Sequence, residues 1–421
     1  MTSKPKTAIV VDPYSSGNML APELRRVGVT PVAVISTGEP LAAYAASFRP
    51  GDFETIVAFD GDLDALVRQL ATKAPLWVLP GTESGVELAD RLAAALTPER
   101  ANDPELSSAR RDKGWMAQAV RAAGLSILRQ HAASNIDDVI AWLTKERLLE
   151  HDLVLKPPRS AGTDSVTRVP AGQDWTHTFR ALLGQRNKLG VVNDRVLVQE
   201  YVTGTEYVVD TYSHDGVHTV TDLCRYGKFD NGGHMAVYDS LEFLPYDPEA
   251  YGALFDYTRG VLTALGIRNG AGHTEVMLTA EGPRLIETGA RMHGGGHPRF
   301  CRLATGDSQL DRTIRHLLGE IVPGPGYTLK RTVLVVFLVA RTSGTVKNIE
   351  IYDRVKSLSS HHDSIVGTRN GDRVEATRDL FASLGLGFVV FAHERRDQVW
   401  EDYATLRAIE RQLVIEPASP P

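Results

Sequence analysis

The sequence predicts an α/β protein at its start that passes into α+β units: an N-terminal parallel αβ domain, mixed central units and a small C-terminal α+β unit. Three observations carry this. At 421 residues the chain exceeds one ordinary core, so two to four packed units are expected. The first hundred residues alternate short apolar runs with segments of helical period, which implies a parallel sheet covered on both faces. Farther on, strands dominate one stretch and helices the next, with polar, proline-bearing segments between.

In chain order, Thr7 to Asp12 reads as a strand, followed by the loop Pro13 to Gly17 and a helix near Leu20 to Val27. Strands at Val32 to Ile35, Thr55 to Ala58 and Leu76 to Leu79 follow, with helices near Leu63 to Ala71 and Ser84 to Leu96. The loop Asp12-Pro13-Tyr14-Ser15-Ser16-Gly17 lacks the Gly-x-Gly-x-x-Gly pattern, so this is not read as a dinucleotide-binding domain. Thr97 to Pro104 reads as a linker. Ser107 is expected to cap a helix that runs to Ala123 and ends at Gly124. An αβ segment reaches Gln199, strands dominate Tyr201 to Tyr226, and Gly227 to Asp239 reads as a glycine-rich, charged loop. Asp247 to Leu265 is helical. Gly270 to Gly289 reads as a hairpin about Glu281-Gly282-Pro283, Gly294 to Gly296 opens a glycine-rich loop, and a helix at Gln309 to Leu318 leads to a second linker, Pro323 to Gly326.

Composition narrows the function. The chain is 43% hydrophobic and 23% charged, which is enough apolar content for sizeable cores. A net charge of −6 with interspersed signs argues against nucleic acid as a partner. Cys224 and Cys301, the two cysteines present, point to a reducing cytoplasm rather than a disulfide framework. The opening residues do not read as a signal peptide, and the longest apolar run, Val333 to Ala340, is too short for a bilayer span, so no membrane association is expected.

Four motifs carry the chemistry. In Leu153-Val-Leu-Lys156-Pro-Pro-Arg-Ser160-Ala161-Gly162-Thr163, a lysine closes an apolar strand before a loop of small residues. Such a loop lets backbone N–H groups approach phosphate oxygens, although a strand end with a snorkelling lysine fits the same residues. In Gln199-Glu200-Tyr201-Val202-Thr-Gly-Thr-Glu206, backbone groups could read an adenine edge and Glu206 a ribose, or the segment is an edge strand with solvated acids. Glu275 and Glu287 sit nearly symmetrically about the hairpin turn. Two facing carboxylates repel unless a cation lies between them, and oxygen ligands suit Mg²⁺. A one-residue slip of register would separate them. In Glu287-Thr-Gly-Ala-Arg291-Met-His293-Gly294-Gly295-Gly296-His297, three glycines permit close backbone approach and Arg291 can grip a phosphate or carboxylate. Lys113 could reach phosphates or simply belong to a solvated helical face. His273 is a substrate contact, a base or a structural histidine; Tyr226, Lys228 and Asp230 either cover a substrate or lie on the surface, and His361-His362 reads as a surface pair.

Taken in order, these residues resemble the ATP-grasp superfamily over roughly Arg110 to Gly296. The resemblance implies a two-lobed ATP-grasp fold after the N-terminal αβ domain, with units at 1–106, 107–202 (small lobe with lid), 203–322 (large lobe) and 323–421. It implies ATP and Mg²⁺ as cofactors and an ATP-dependent ligase that activates a carboxylate as an acyl phosphate, releases ADP and phosphate, and passes the acyl group to an amine. On this reading Lys113, Lys156, Ser160, Ala161, Gly162 and Thr163 hold the phosphates. Gln199, Glu200 and Val202 hold adenine, and Glu206 holds ribose. Glu275 and Glu287 bind metal and Arg291 is catalytic, while Tyr226, His273, His293, Gly294 and Gly295 face the substrate. The chain departs from the pattern at Gly289, where many members carry Asn, which puts a second Mg²⁺ in doubt. Within the superfamily it is most similar to bacterial L-amino-acid ligases, so amino-acid or other small carboxylate and amine substrates are implied, and a homodimer is compatible. The alternatives are a ligase or carboxylase acting on another small carboxylate, and a nucleotide-binding regulator without turnover.

Overall fold

The computed structural model of the protein describes residues 6–320 and 324–417. The sequence expectations for the first residues and for Pro323, with the boundary drawn there, lie partly outside this range. Among the described residues, a four-stranded parallel sheet opens the chain in the order Thr55–Ala58, Val29–Ile35, Lys6–Val11, Pro75–Pro80. Its two inner strands, Lys6–Val11 and Val29–Ile35, are buried on both sides because both faces are covered there. One face meets Leu66, Leu70, Leu88 and Leu92 of the helices Leu63–Ala71 and Val86–Leu96. The other, with Ala8, Val10 and Trp77, packs on Leu20 and Leu24 and on Tyr212, Ala271, Leu310 and Ile314 from much later in the chain. Each such leucine contributes about 1.5–3 kcal/mol by leaving water, so this shared core fixes the N-terminal domain against the central one.

A second sheet, ordered Gln130–Ala133, Val196–Glu200, Leu153–Lys156, Thr167–Val169, is antiparallel. The largest sheet has eight strands among the described residues, each antiparallel to its neighbours. It begins at Gly282–Gly289 and Gly270–Thr279 and passes through Thr205–His214, Val217–Asn231 and His234–Leu244. It continues through Thr332–Phe337, Gly387–His393 and His361–Val366, so the segment after residue 331 extends the same sheet. The long helix Pro248–Ala264 covers one face through Leu254, Phe255, Val261 and Leu262.

Two local readings are corrected. Gly227 to Asp239 is not a loop. The strand Val217–Asn231 runs through it, turns at Gly232-Gly233 (φ 63° and 91°) and returns as His234–Leu244. Two bulges, at Gly227/Lys228 and Phe229/Asn231, break the strict alternation that would have marked it as strand. The helix assigned to Ser107 starts instead at Lys113. Its cap is Asp112, whose carboxylate accepts from the Gly114 and Trp115 amides, whereas the Ser107 hydroxyl donates to Asp90 at 2.7 Å. The sequence has several capping residues here, and the buried Arg110–Asp90 pair selects among them by holding a 3₁₀ turn, Ser108–Arg110, ahead of the helix.

Candidate active site

The hairpin Gly270–Thr279/Gly282–Gly289 is closed by a turn at Gly282 (φ 102°), and its register pairs Glu275 with Glu287 directly. On the opposite face the Thr274 and Thr288 hydroxyls meet at 2.7 Å, which locks that register. Lys113, the first residue of its helix, donates to Glu287 at 2.7 Å and to the Ser160 carbonyl at 2.8 Å. Burial opposes charge on Glu287, but Lys113, then Lys156 and Arg291, hold its carboxyl down at about 2. Lys156 closes the strand Leu153–Lys156 and is buried. Desolvation, with the Lys113 charge beside it, pushes its ammonium down to about 8. The loop after it takes left-handed conformations at Gly162 and Thr163 (φ 66° and 58°), which turn it back over the hairpin.

One cavity is lined by Lys113, Lys156 and this loop together with Gln199, Glu200, Val202 and Glu206. The Gln199 Oε1 is buried with no protein partner. The Glu200 carboxylate is held by Arg129 at 2.6 Å and its amide donates to the Arg129 carbonyl, so contacts to a ligand at this position fall to its remaining backbone. Glu206 pairs with Lys228 at 2.6 Å, and the Lys228 ammonium lies 4.8 and 4.3 Å from the Tyr226 and Tyr238 ring centres. Every residue expected at the nucleotide lines this one cavity.

A second cavity is lined by Tyr226, His273, Arg291, His293, Gly294 and Gly295. Glu275 and Glu287 line both cavities, which meet at the carboxylate pair beneath Ala161 and Gly162.

Several residues of this second wall were not singled out in the sequence. Arg291 donates through Nε to Glu83 at 2.8 Å, and Glu83 also pairs with Arg111. A side chain at 289 would begin 2.8 Å from that Glu83 oxygen, so the space beside Gly289 belongs to a carboxylate from the N-terminal domain. The Ser15 and Ser16 hydroxyls accept from the Gly295 and Gly296 amides at 2.8 and 2.9 Å. Asp210 is fully buried and bonds the Nδ1 atoms of His273 and His293, both at 2.8 Å, while His297 lies 3.2 Å away. Burial disfavours the Asp210 charge, yet the two imidazoles bonded to it, His293 and His273, hold its carboxyl well below the usual range. His293 is itself pushed down by burial and by the neighbouring His297 and His273, so the positive charge facing Asp210 is on His273. Asp210 in turn overrides desolvation at His273, raising it to about 9. Glu83 and Ser15 lie in loops after the carboxyl ends of parallel strands, where such sheets gather ligands, and that was the available signal. Asp210 sits in a strand and carried none.

A cleft under a small-residue loop is joined at two facing acids to a second cleft, and the chain is an ATP-dependent ligase that belongs to the ATP-grasp family: residues 149–298 match the ATP-grasp domain, and a relative matches over most of the chain. It joins a carboxylate to an amine. The chain is 31% identical over 392 residues, 90% of each protein, to dapdiamide A synthase of Enterobacter agglomerans. Its fold is similar to the L-amino acid ligase from Bacillus licheniformis (TM-score 0.75, 20% identity, 99% of this chain and 100% of that one). It is also similar to the carboxyaminoimidazole ribonucleotide synthase from Aspergillus clavatus complexed with ATP (TM-score 0.71, 12% identity, 97% and 100%). Among the described residues, no helix is long and apolar enough to cross a membrane.

Proposed function

We propose that this enzyme joins two amino acids, or an amino acid and a closely related acid, through an acyl phosphate, with release of ADP and phosphate. One observation carries the reading: the two cavities open on each other at Glu275 and Glu287, so a triphosphate in one can present its terminal phosphorus to a carboxylate in the other. The names of the relatives, an amino acid ligase and dapdiamide synthase, support the substrate class.

In this reading Gln199, Glu200 and Val202 receive adenine, and the unpartnered Gln199 oxygen suits an amino donor. Glu206 receives ribose. Lys113 and Lys156 neutralise phosphate oxygens beneath the lid of Ser160, Ala161, Gly162 and Thr163. The facing carboxylates, with Glu287 held ionised, are a hard oxygen set that fits Mg²⁺. Bound there, Mg²⁺ would screen the phosphate charge against an incoming anion. A carboxylate oxygen bonds to the terminal phosphorus as the bond to the ADP oxygen breaks. The amine nitrogen then bonds to the acyl carbon, the carbon–oxygen bond to phosphate breaks, and the nitrogen sheds a proton. Arg291, held by Glu83, stabilises charge on the transferring phosphoryl group and on the acyl oxygen. Tyr226, His273, His293, Gly294 and Gly295 orient the substrates.

Purified protein given ATP, Mg²⁺ and pairs of amino acids should release phosphate and ADP, and hydroxylamine should trap a hydroxamate from the carboxyl substrate alone. AMP and pyrophosphate as products would contradict the acyl-phosphate route.

A further inference from the structure

The substrate cavity is polar at one end and apolar at the other. Glu275, Glu287 and Arg291 form the polar end. The far end is closed by Phe300, Val335, Phe337, Phe388 and Leu384, which pack together, and Phe381 stands in the wall between them and the lid. Phe381, Leu384 and Phe388 come from the helix Leu380–Leu386 and the strand after it, more than eighty residues beyond the glycine loop. We propose that this end receives a bulky apolar side chain of the carboxyl substrate, and that the helix Leu380–Leu386 is the element that selects it.

The assignment rests on the ligase reading above and follows from position. A carboxyl substrate must place its carboxylate at the acid pair, where the cavities join, and its side chain then extends away from the nucleotide into the apolar end. A charged side chain would lose much of its water there against phenylalanine rings and aliphatic groups.

The same helix bears on the lid. The Leu380 amide donates to the Gly162 carbonyl at 3.2 Å, and a Cβ on Gly162 would meet the Phe381 ring at 3.0 Å. Lys188 ties the two together: its ammonium meets Asp379, the cap of the helix, at 2.5 Å, and its amide donates to Asp164 of the lid at 2.7 Å. Phe381 also packs on Tyr44 of the N-terminal domain, 6.1 Å between ring centres. Phe381 is therefore both a wall of the apolar end and a stop for the loop over the phosphates, so a side chain that fills the cavity braces the lid.

Hydroxamate formation from single amino acids tests this, because the amine substrate is not needed. With ATP and Mg²⁺, leucine, methionine and phenylalanine should exceed alanine and aspartate in kcat/KM by about 10²-fold, the discrimination that a few methylenes in an apolar pocket supply. Phe381→Ala and Leu384→Ala should shrink the leucine-to-alanine ratio by at least about tenfold. Phe381→Leu keeps an apolar wall should Phe381→Ala not fold, and should favour phenylalanine over leucine relative to the unsubstituted enzyme. Preference for acidic or small side chains, or variants that slow all amino acids equally, would overturn the pocket assignment and leave the ligase standing. Absence of a hydroxamate from every amino acid would overturn both.

Discussion

Gly289→Ala adds one methyl group at a place where nothing can move freely. The new carbon would lie 2.8 Å from Glu83 Oε2, 3.2 Å from Arg291 Nε and 3.3 Å from its Cζ. Glu83 is buried and anchored by two guanidinium groups, so relief requires stretching the Glu83–Arg291 bond, now 2.8 Å. A hydrogen bond between charged groups is worth about 1.5–3 kcal/mol. Its loss would free Arg291 to drift from the place that the proposed mechanism gives it beside the acyl oxygen, and a misplacement of about 1 Å costs about 10²-fold in rate. Steady-state phosphate release should therefore show kcat lowered by about 30- to 100-fold, with the KM for ATP within about twofold because the nucleotide cavity is not lined by residue 289. In a Glu83→Ala background the methyl meets no carboxylate, so adding Gly289→Ala should cost little more. A wild-type kcat in the single variant, or strictly multiplicative losses in the double one, would refute this account of the missing side chain.

Arg291→Ala should lower kcat by about 10²–10³-fold while ATP binding, followed by calorimetry, is largely kept; parallel loss of nucleotide affinity would remove its assigned role. Glu287→Gln should raise the Mg²⁺ concentration for half-maximal rate by at least about tenfold, and an unchanged Mg²⁺ titration would exclude it as a ligand. Lys156 is pushed down to about 8 in the free protein, and bound phosphates favour its charged form. ATP affinity should thus be full below pH 8 and weaken above it, by up to about tenfold per unit, whereas Lys156→Arg should flatten the dependence; a wild-type affinity constant from pH 7 to 9.5 would contradict this.

The parts of the site that were legible in the sequence share a local cause. Lys156 and its small-residue loop, and the acids 275 and 287 about a glycine turn, are each written within a dozen or so residues, where strand period and turn chemistry speak directly. What was hidden depends on distant pairing. Glu83 meets Arg291 across 208 positions, and Asp210 meets His293 across 83, so neither partner announces the other. The hairpin misread as a loop shows the complementary failure: its bulges and glycines imitate irregular chain, and only pairing with neighbours on both sides makes it a sheet. The cap at Asp112 was missed because Arg110 is anchored to Asp90, an attachment outside the helix itself.

The eight-stranded sheet sets a rule for redesign. Because Thr332–Phe337 is bonded directly to His234–Leu244, cutting the chain near residue 320 would strip a neighbour from a central strand and bare its amide and carbonyl groups to self-association. The terminal region cannot be traded as a cassette between related enzymes. New substrate preference has to be written by point changes on the short segment 380–388, leaving the hydrogen-bonded ladder behind it intact.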